Sequence, residues 1–74
     1  MTSAARDKPS WLIQFERAKS ELAAGRTRAA LPLLRKAVAL NPRLTEAWGL
    51  IGDILTAGGD FPGARQAYGH AGGS

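Results

Sequence analysis

An all-α fold of four helices, paired as antiparallel hairpins and stacked into a short superhelix, is what this 74-residue chain predicts. Three observations lead there. Trp48, Ile51 and Leu55 recur at i, i+3 and i+7, which places them in one apolar stripe on a helix. Glycines at 25 and at 58–59 interrupt otherwise helical sequence at two points. The block around each interruption is then repeated at an offset of 34 residues. The offset pairs Ala18 with Gly52, Gly25 with Gly59, Ala30 with Ala64, Leu34 with Tyr68 and Ala37 with Ala71. Small residues meet small residues and the turn glycine recurs.

The elements follow in order. Residues 1–10 form a flexible lead-in, with Ser10 as a helix cap. The first helix is expected from Trp11 to Ala24, and Gly25 and Arg26 turn the chain. Thr27 then caps a second helix from Arg28 to Leu40, with Pro32 near its start, where proline costs little more than one hydrogen bond. This helix is apolar on most sides (Ala29, Ala30, Leu31, Leu33, Leu34, Ala37, Val38 and Leu40), so it is expected between the first and third helices. Pro42 closes it and lets the next hairpin begin.

The third helix is expected over Thr45–Ala57. Gly52 sits beside its apolar stripe and lets another helix cross close to the backbone. Gly58 and Gly59 stop it, Asp60 caps the fourth helix, and Pro62 is tolerated in that helix's first turn. The fourth helix, about Phe61 to His70, carries Gly63 and Gly69 and only two large apolar groups, Phe61 and Tyr68. It is the weakest element. Residues 72–74 are a flexible tail.

The pattern Trp48-x-x-Ile51-Gly52-x-x-Leu55, Gly59, Ala64-x-x-x-Tyr68 and Ala71 resembles the tetratricopeptide repeat, whose period is also 34 residues. The resemblance covers Trp11 to Ala71 and implies two hairpins, residues 11–44 and 45–71. It also implies a non-catalytic protein–protein interaction module that binds a protein or peptide partner. The first copy departs from the pattern: Gln14, Arg17 and Glu21 stand where Trp48, Ile51 and Leu55 stand in the second. Terminal repeats need a polar outer face, so the first hairpin reads as an N-terminal cap. Drift in a degenerate repeat is the competing account. The second repeat, through Gly52-Asp53-Ile54-Leu55 and Gly59-Asp60-Phe61-Pro62-Gly63-Ala64, is also similar to repeats that precede bacterial sulfotransferase domains. That likeness makes an accessory segment of a larger enzyme the alternative.

In this family the first helix of each hairpin lines a concave face where peptides lie. The matching positions are Leu12, Phe15, Lys19 and Leu22, then Glu46, Gly49, Asp53 and Thr56. Phe15, Lys19, Asp53 and Thr56 are therefore candidate partner contacts, although core placement is the simpler assignment for Leu12, Phe15 and Leu22. The lysine-and-asparagine clamp of chaperone-binding members is absent. Two repeats fall short of the three or so that arrays usually need. Phe61 and Tyr68, on an uncovered fourth helix, are accordingly candidates for partner contact or for self-association into a homo-oligomer.

Residues 1–43 carry nine basic and three acidic groups, net +6, and residues 44–74 carry one and three, net −2. Arg26, Arg28, Arg35, Lys36 and Arg43 could attract an acidic partner or nucleic acid. Their scatter over several helices, without interleaved aromatics, argues against nucleic acid. There is no cysteine, and His70 is the sole histidine, so no catalytic, metal or cofactor site is expected. Asp53 and Asp60 read as surface charge and helix cap, not as an acid–base pair. No apolar run reaches the ~18 residues of a membrane span, no signal peptide is evident, and a cytoplasmic setting is the default. Alanine-rich usage, with arginine outnumbering lysine, points to a GC-rich bacterial genome.

Overall fold

The computed structural model describes residues 8–72. The expected flexibility of residues 1–7 and 73–74 lies outside those residues. The described chain forms four α-helices and no strand: α1 (Ser10–Ala23), α2 (Thr27–Leu40), α3 (Thr45–Ala57) and α4 (Phe61–Ala71). Connections of three or four residues fold each helix back on the one before it. α1 packs on α2, α2 on α3 and α3 on α4.

The two hairpin turns are the same structure built twice. Gly25 (φ 82°) and Gly59 (φ 87°) take the left-handed conformation. After Gly25, Arg26 N donates to Glu21 O (2.8 Å) and Gly25 N to Leu22 O (3.0 Å). After Gly59, Asp60 N donates to Leu55 O (2.8 Å) and Gly59 N to Thr56 O (3.1 Å). Both are the six-to-one and five-to-two bonds that close a helix with a left-handed residue. The repeat offset thus survives down to single hydrogen bonds. Gly58 stays right-handed at φ −86° and is only the last half-helical residue.

The helix starts differ from expectation. Ser10 lies inside α1, and Pro9 holds the cap position, its carbonyl receiving Leu12 N and Ile13 N at 3.0 and 3.3 Å. Thr27 lies inside α2; Arg26 precedes it with no side-chain cap. The turn after Gly25 already delivers Arg26 in position for its carbonyl to accept Ala30 N at 3.1 Å, so the helix begins one residue early. Pro32 is consequently the sixth residue of α2, not part of its first turn, and leaves the Arg28 carbonyl without a helical donor. Asp60 caps α4 as expected: Gly63 N donates to its Oδ1 at 3.0 Å.

One continuous core joins all four helices. Phe15 and Ala18 come from α1; Ala30, Leu34, Ala37 and Val38 from α2; Ala47 and Ile51 from α3; Ala67 from α4. Its alanines let helices approach closely, and larger groups such as Trp11, Leu31, Trp48 and Leu55 pack half-buried around it. α2 does lie between α1 and α3, but it is not buried all round. Arg28, Ala29, Pro32, Arg35, Lys36 and Ala39 are exposed, and Leu40 is 57% exposed. Gln14, on the expected polar stripe of α1, is only half exposed, and its Oε1 is buried without a hydrogen-bond partner.

Candidate partner-binding faces

The exposed polar positions of α1 and α3 meet on one side of the stack. Lys19 Nζ lies 3.9 Å from Glu46 Oε2, which ties the two helices together across that face. The same ammonium sits 4.9 Å from the centroid of the Phe15 ring, a cation over an aromatic face. Phe15 itself is 5% exposed. It is a core residue that offers a partner little surface, and it positions Lys19 instead. Leu12 and Leu22 are half-buried against the core. Gly49 opens space on α3: a Cβ there would meet nothing within 4 Å.

Asp53 lies two turns after Glu46, so it shares that side of α3. The Tyr68 hydroxyl donates to its Oδ1 at 2.5 Å. Thr56 Oγ1 donates to Gly52 O at 2.8 Å, beside the same group. The Tyr68 ring lies so close over Gly52 that a Cβ there would fall 2.6 Å from Cε1. Donation to Asp53 holds the Tyr68 phenol above the ordinary tyrosine value, with the neighbouring Thr56 hydroxyl opposing. Asp53, Thr56 and Tyr68 thus form one cluster between α3 and α4. Tyr68 is covered by α3 on one side and remains 43% exposed. Phe61 stands apart from them at the start of α4, 65% exposed.

A second surface lies on the other side, between α2 and α4. The rings of Trp48 and His70 stack with centroids 4.1 Å apart and planes inclined by 18°, and Trp48 Nε1 donates to Pro42 O at 2.8 Å. Beside them runs an open hollow of about 330 Å³ walled by Arg35, Ile51, Leu55, Gln66 and His70 among others. Gln66 also walls a neighbouring open hollow of about 470 Å³, with Phe61, Pro62 and Arg65. Sequence reasoning passed over Gln66 and His70 here, because nothing in their local pattern says that a groove runs beside them. The available signal was the small-residue face of α4, where Ala64 and Ala67 are buried and bring that helix close to its neighbour.

Charges on the described residues are unevenly used. Glu16 pairs with Lys8 (3.1 Å), Glu21 with Arg26 and Glu46 with Lys19. Asp53 accepts from Tyr68, and Asp60 caps α4. Hydrogen bonding to Glu21 and its charge raise the Arg26 guanidinium further above its already high range. No described carboxylate lies within ion-pair distance of Arg17, Arg28, Arg35, Lys36, Arg43 or Arg65. Among the described residues no group of three His, Cys, Asp or Glu side chains could hold a metal ion, and no helix is long and apolar enough to cross a membrane.

Comparison with known proteins places these faces in context. A family model described as tetratricopeptide repeat matches residues 15–71. A TPR repeat-containing protein of Pseudomonas aeruginosa is 37% identical over 57 residues, covering 77% of this chain and 54% of the relative. The chain therefore spans about half the length of that curated relative. No solved structure matches.

Proposed function

The chain belongs to the tetratricopeptide-repeat family, and on that premise we propose that it is a non-catalytic module for protein–protein contact. Its hairpins generally serve such contacts in this family. The first hairpin, residues 11–44, supplies Lys19 to the contact face, and the second, residues 45–71, supplies Glu46, Asp53 and Thr56. A protein or peptide partner lies along the α1/α3 face. The observation that carries this reading is the row of exposed polar side chains along that face, Lys19 and Glu46 at one end and Asp53 with Thr56 two to three turns on. Such a row can fix the polar groups of an extended or helical segment. We place the module in the cytoplasm, where proteins of this family often act.

Co-purification from the native source tests it, comparing the wild type with a Lys19→Glu, Asp53→Lys double variant. Recovery of the partner should fall with the variant; equal recovery would remove the α1/α3 face from consideration. A second reading, an accessory segment of a larger bacterial enzyme such as a sulfotransferase, is supported by the second-repeat resemblance alone. An open reading frame running past Ser74 into a nucleotide-binding domain would favour it, and one that stops there would not.

A further inference from the structure

Most of the cationic surface of this molecule is not on the α1/α3 face. Arg28 and Arg35 are seven residues apart on α2 and share its solvent side, about 10 Å apart along the axis. Both are exposed. Arg35 forms one lip of the hollow beside Trp48 and His70. Across Gln66, Arg65 forms a lip of the adjoining hollow together with Phe61 and Pro62. Neither Arg35 nor Arg65 has a described carboxylate within ion-pair distance. Phe61, one helical turn before Arg65, is the most exposed large apolar side chain described. Two guanidinium groups without a described carboxylate partner therefore stand on either side of Gln66. Arg35 stands at a hollow that runs from α2 to α4, and Arg65 at an adjoining one on α4 with Phe61 as its apolar platform. The one carboxylate lining either, Asp60, is engaged in capping α4.

We propose that this outer groove between α2 and α4 docks an acidic, amphipathic peptide segment of a partner protein. Its carboxylates pair with Arg35 and Arg65, and an apolar side chain seats against Phe61 and Pro62. Arginine suits the task because its planar fork binds a carboxylate through two parallel hydrogen bonds. The proposal rests on reading the chain as an interaction module, and it adds a second surface and a partner chemistry to that reading.

Charge complementarity selects this occupant over the others. Among the described residues a second copy is a poor source of carboxylates. Glu16, Glu21 and Glu46 are already ion-paired, while Asp53 and Asp60 are held by Tyr68 and by the α4 cap. A nucleic acid would seek open ring faces on which to stack its bases. Trp48 and His70 stack on one another instead, which takes up one face of each ring.

Fluorescence anisotropy tests the proposal with the whole chain. The probe is a short fluorescein-labelled peptide of glutamate pairs alternating with leucines; the control replaces every glutamate with glutamine. Saturable binding of the acidic probe is expected, weakening as salt rises toward physiological strength. Glutamine control and Arg35→Gln, Arg65→Gln variant should each bind at least about tenfold more weakly, a loss of about 1.4 kcal/mol. Phe61→Ser should weaken binding at unchanged salt dependence. All three positions are exposed, and circular dichroism verifies that the helices persist. Equal affinity for the acidic and glutamine probes, no saturable binding, or unchanged affinity in the double arginine variant would each overturn the proposal. So would tighter binding of a single-stranded oligonucleotide, or a dimer in sedimentation that Phe61→Ser dissolves. Acidic-probe binding abolished by Lys19→Glu, Asp53→Lys but untouched by the arginine variant would overturn the outer groove while leaving the α1/α3 reading standing. Loss of native partner recovery in neither variant would remove both.

Discussion

Tyr68 joins α4 to α3 through two contacts that depend on each other. Its ring can lie this close to α3 only because position 52 has no side chain, and from there its hydroxyl reaches Asp53. Replacing Gly52 with alanine sets a helix-propensity gain of about 1 kcal/mol against overpacking of about 1–3 kcal/mol. Because the clash is with a ring held at both ends, overpacking should win. Gly52→Ala is expected to lower stability by up to about 2 kcal/mol in urea titration. Gly49→Ala, with nothing within 4 Å of its added Cβ, should raise stability by up to about 1 kcal/mol; a gain in both would mean that Tyr68 swings away without loss. The hydrogen bond itself is read by pH. The phenol donates to a carboxylate, so its folded pKa lies above the ordinary value of about 10. The bond's contribution to stability is therefore complete below that pH and is lost as pH rises through the folded value. Tyr68 is the only tyrosine, so phenolate absorbance reports it alone. Asp53→Asn should bring the titration midpoint down; identical midpoints would refute the interaction.

The fourth helix is where local sequence and tertiary support are both thinnest. It is the shortest of the four, contains Gly63 and Gly69, and buries only Ala64 and Ala67. Its start is held by the Asp60 carboxylate on Gly63 N. Asp60→Ala should cost about 1 kcal/mol and speed amide exchange in α4 selectively, because elements with few buried contacts open first. Uniform loss of protection across α2 and α4 would show that α4 opens only with the whole molecule. Element existence was readable from the chain because Gly25 and Gly59 stand at matched turns and the apolar period between them is helical. The caps of α1 and α2 were not readable from the chain. Ser10 and Thr27 are good capping types, but where a helix starts depends on the backbone delivered by the preceding turn, as at Arg26. Of the candidate contacts, Asp53, Thr56 and Tyr68 were each legible as positions. Their meeting was not, since it depends on how α4 folds back fifteen residues later. The Trp48–His70 stack and the groove beside it were invisible for the same reason: they arise from the packing of α4 on α3 and of α3 on α2, with no local signature.

At the scale of the molecule, the question is whether two hairpins behave as one unit or two. Repeat stacks gain stability from each hairpin and from the interface between neighbours. Here the interface is α2 on α3, and the core runs unbroken from Phe15 to Ala67 through Leu34, the one large side chain fully buried among the described residues. A chain of this size has little stability to divide, so a lone hairpin that lost that interface should not persist. The two tryptophans allow a direct measurement: Trp11 lies in the first hairpin and Trp48 in the second, both half-buried against the core. A Trp11→Phe variant leaves fluorescence to the second hairpin, and Trp48→Phe leaves it to the first. In each variant the fluorescence transition in urea should coincide with the helix transition followed by circular dichroism, as a single cooperative unit requires. If the Trp48 signal moved at lower urea than helicity did, the second hairpin would be opening by itself. The outer groove, which needs α2 and α4 held together, would then exist only as long as that hairpin stayed closed. Coincidence would instead make the groove as durable as the fold.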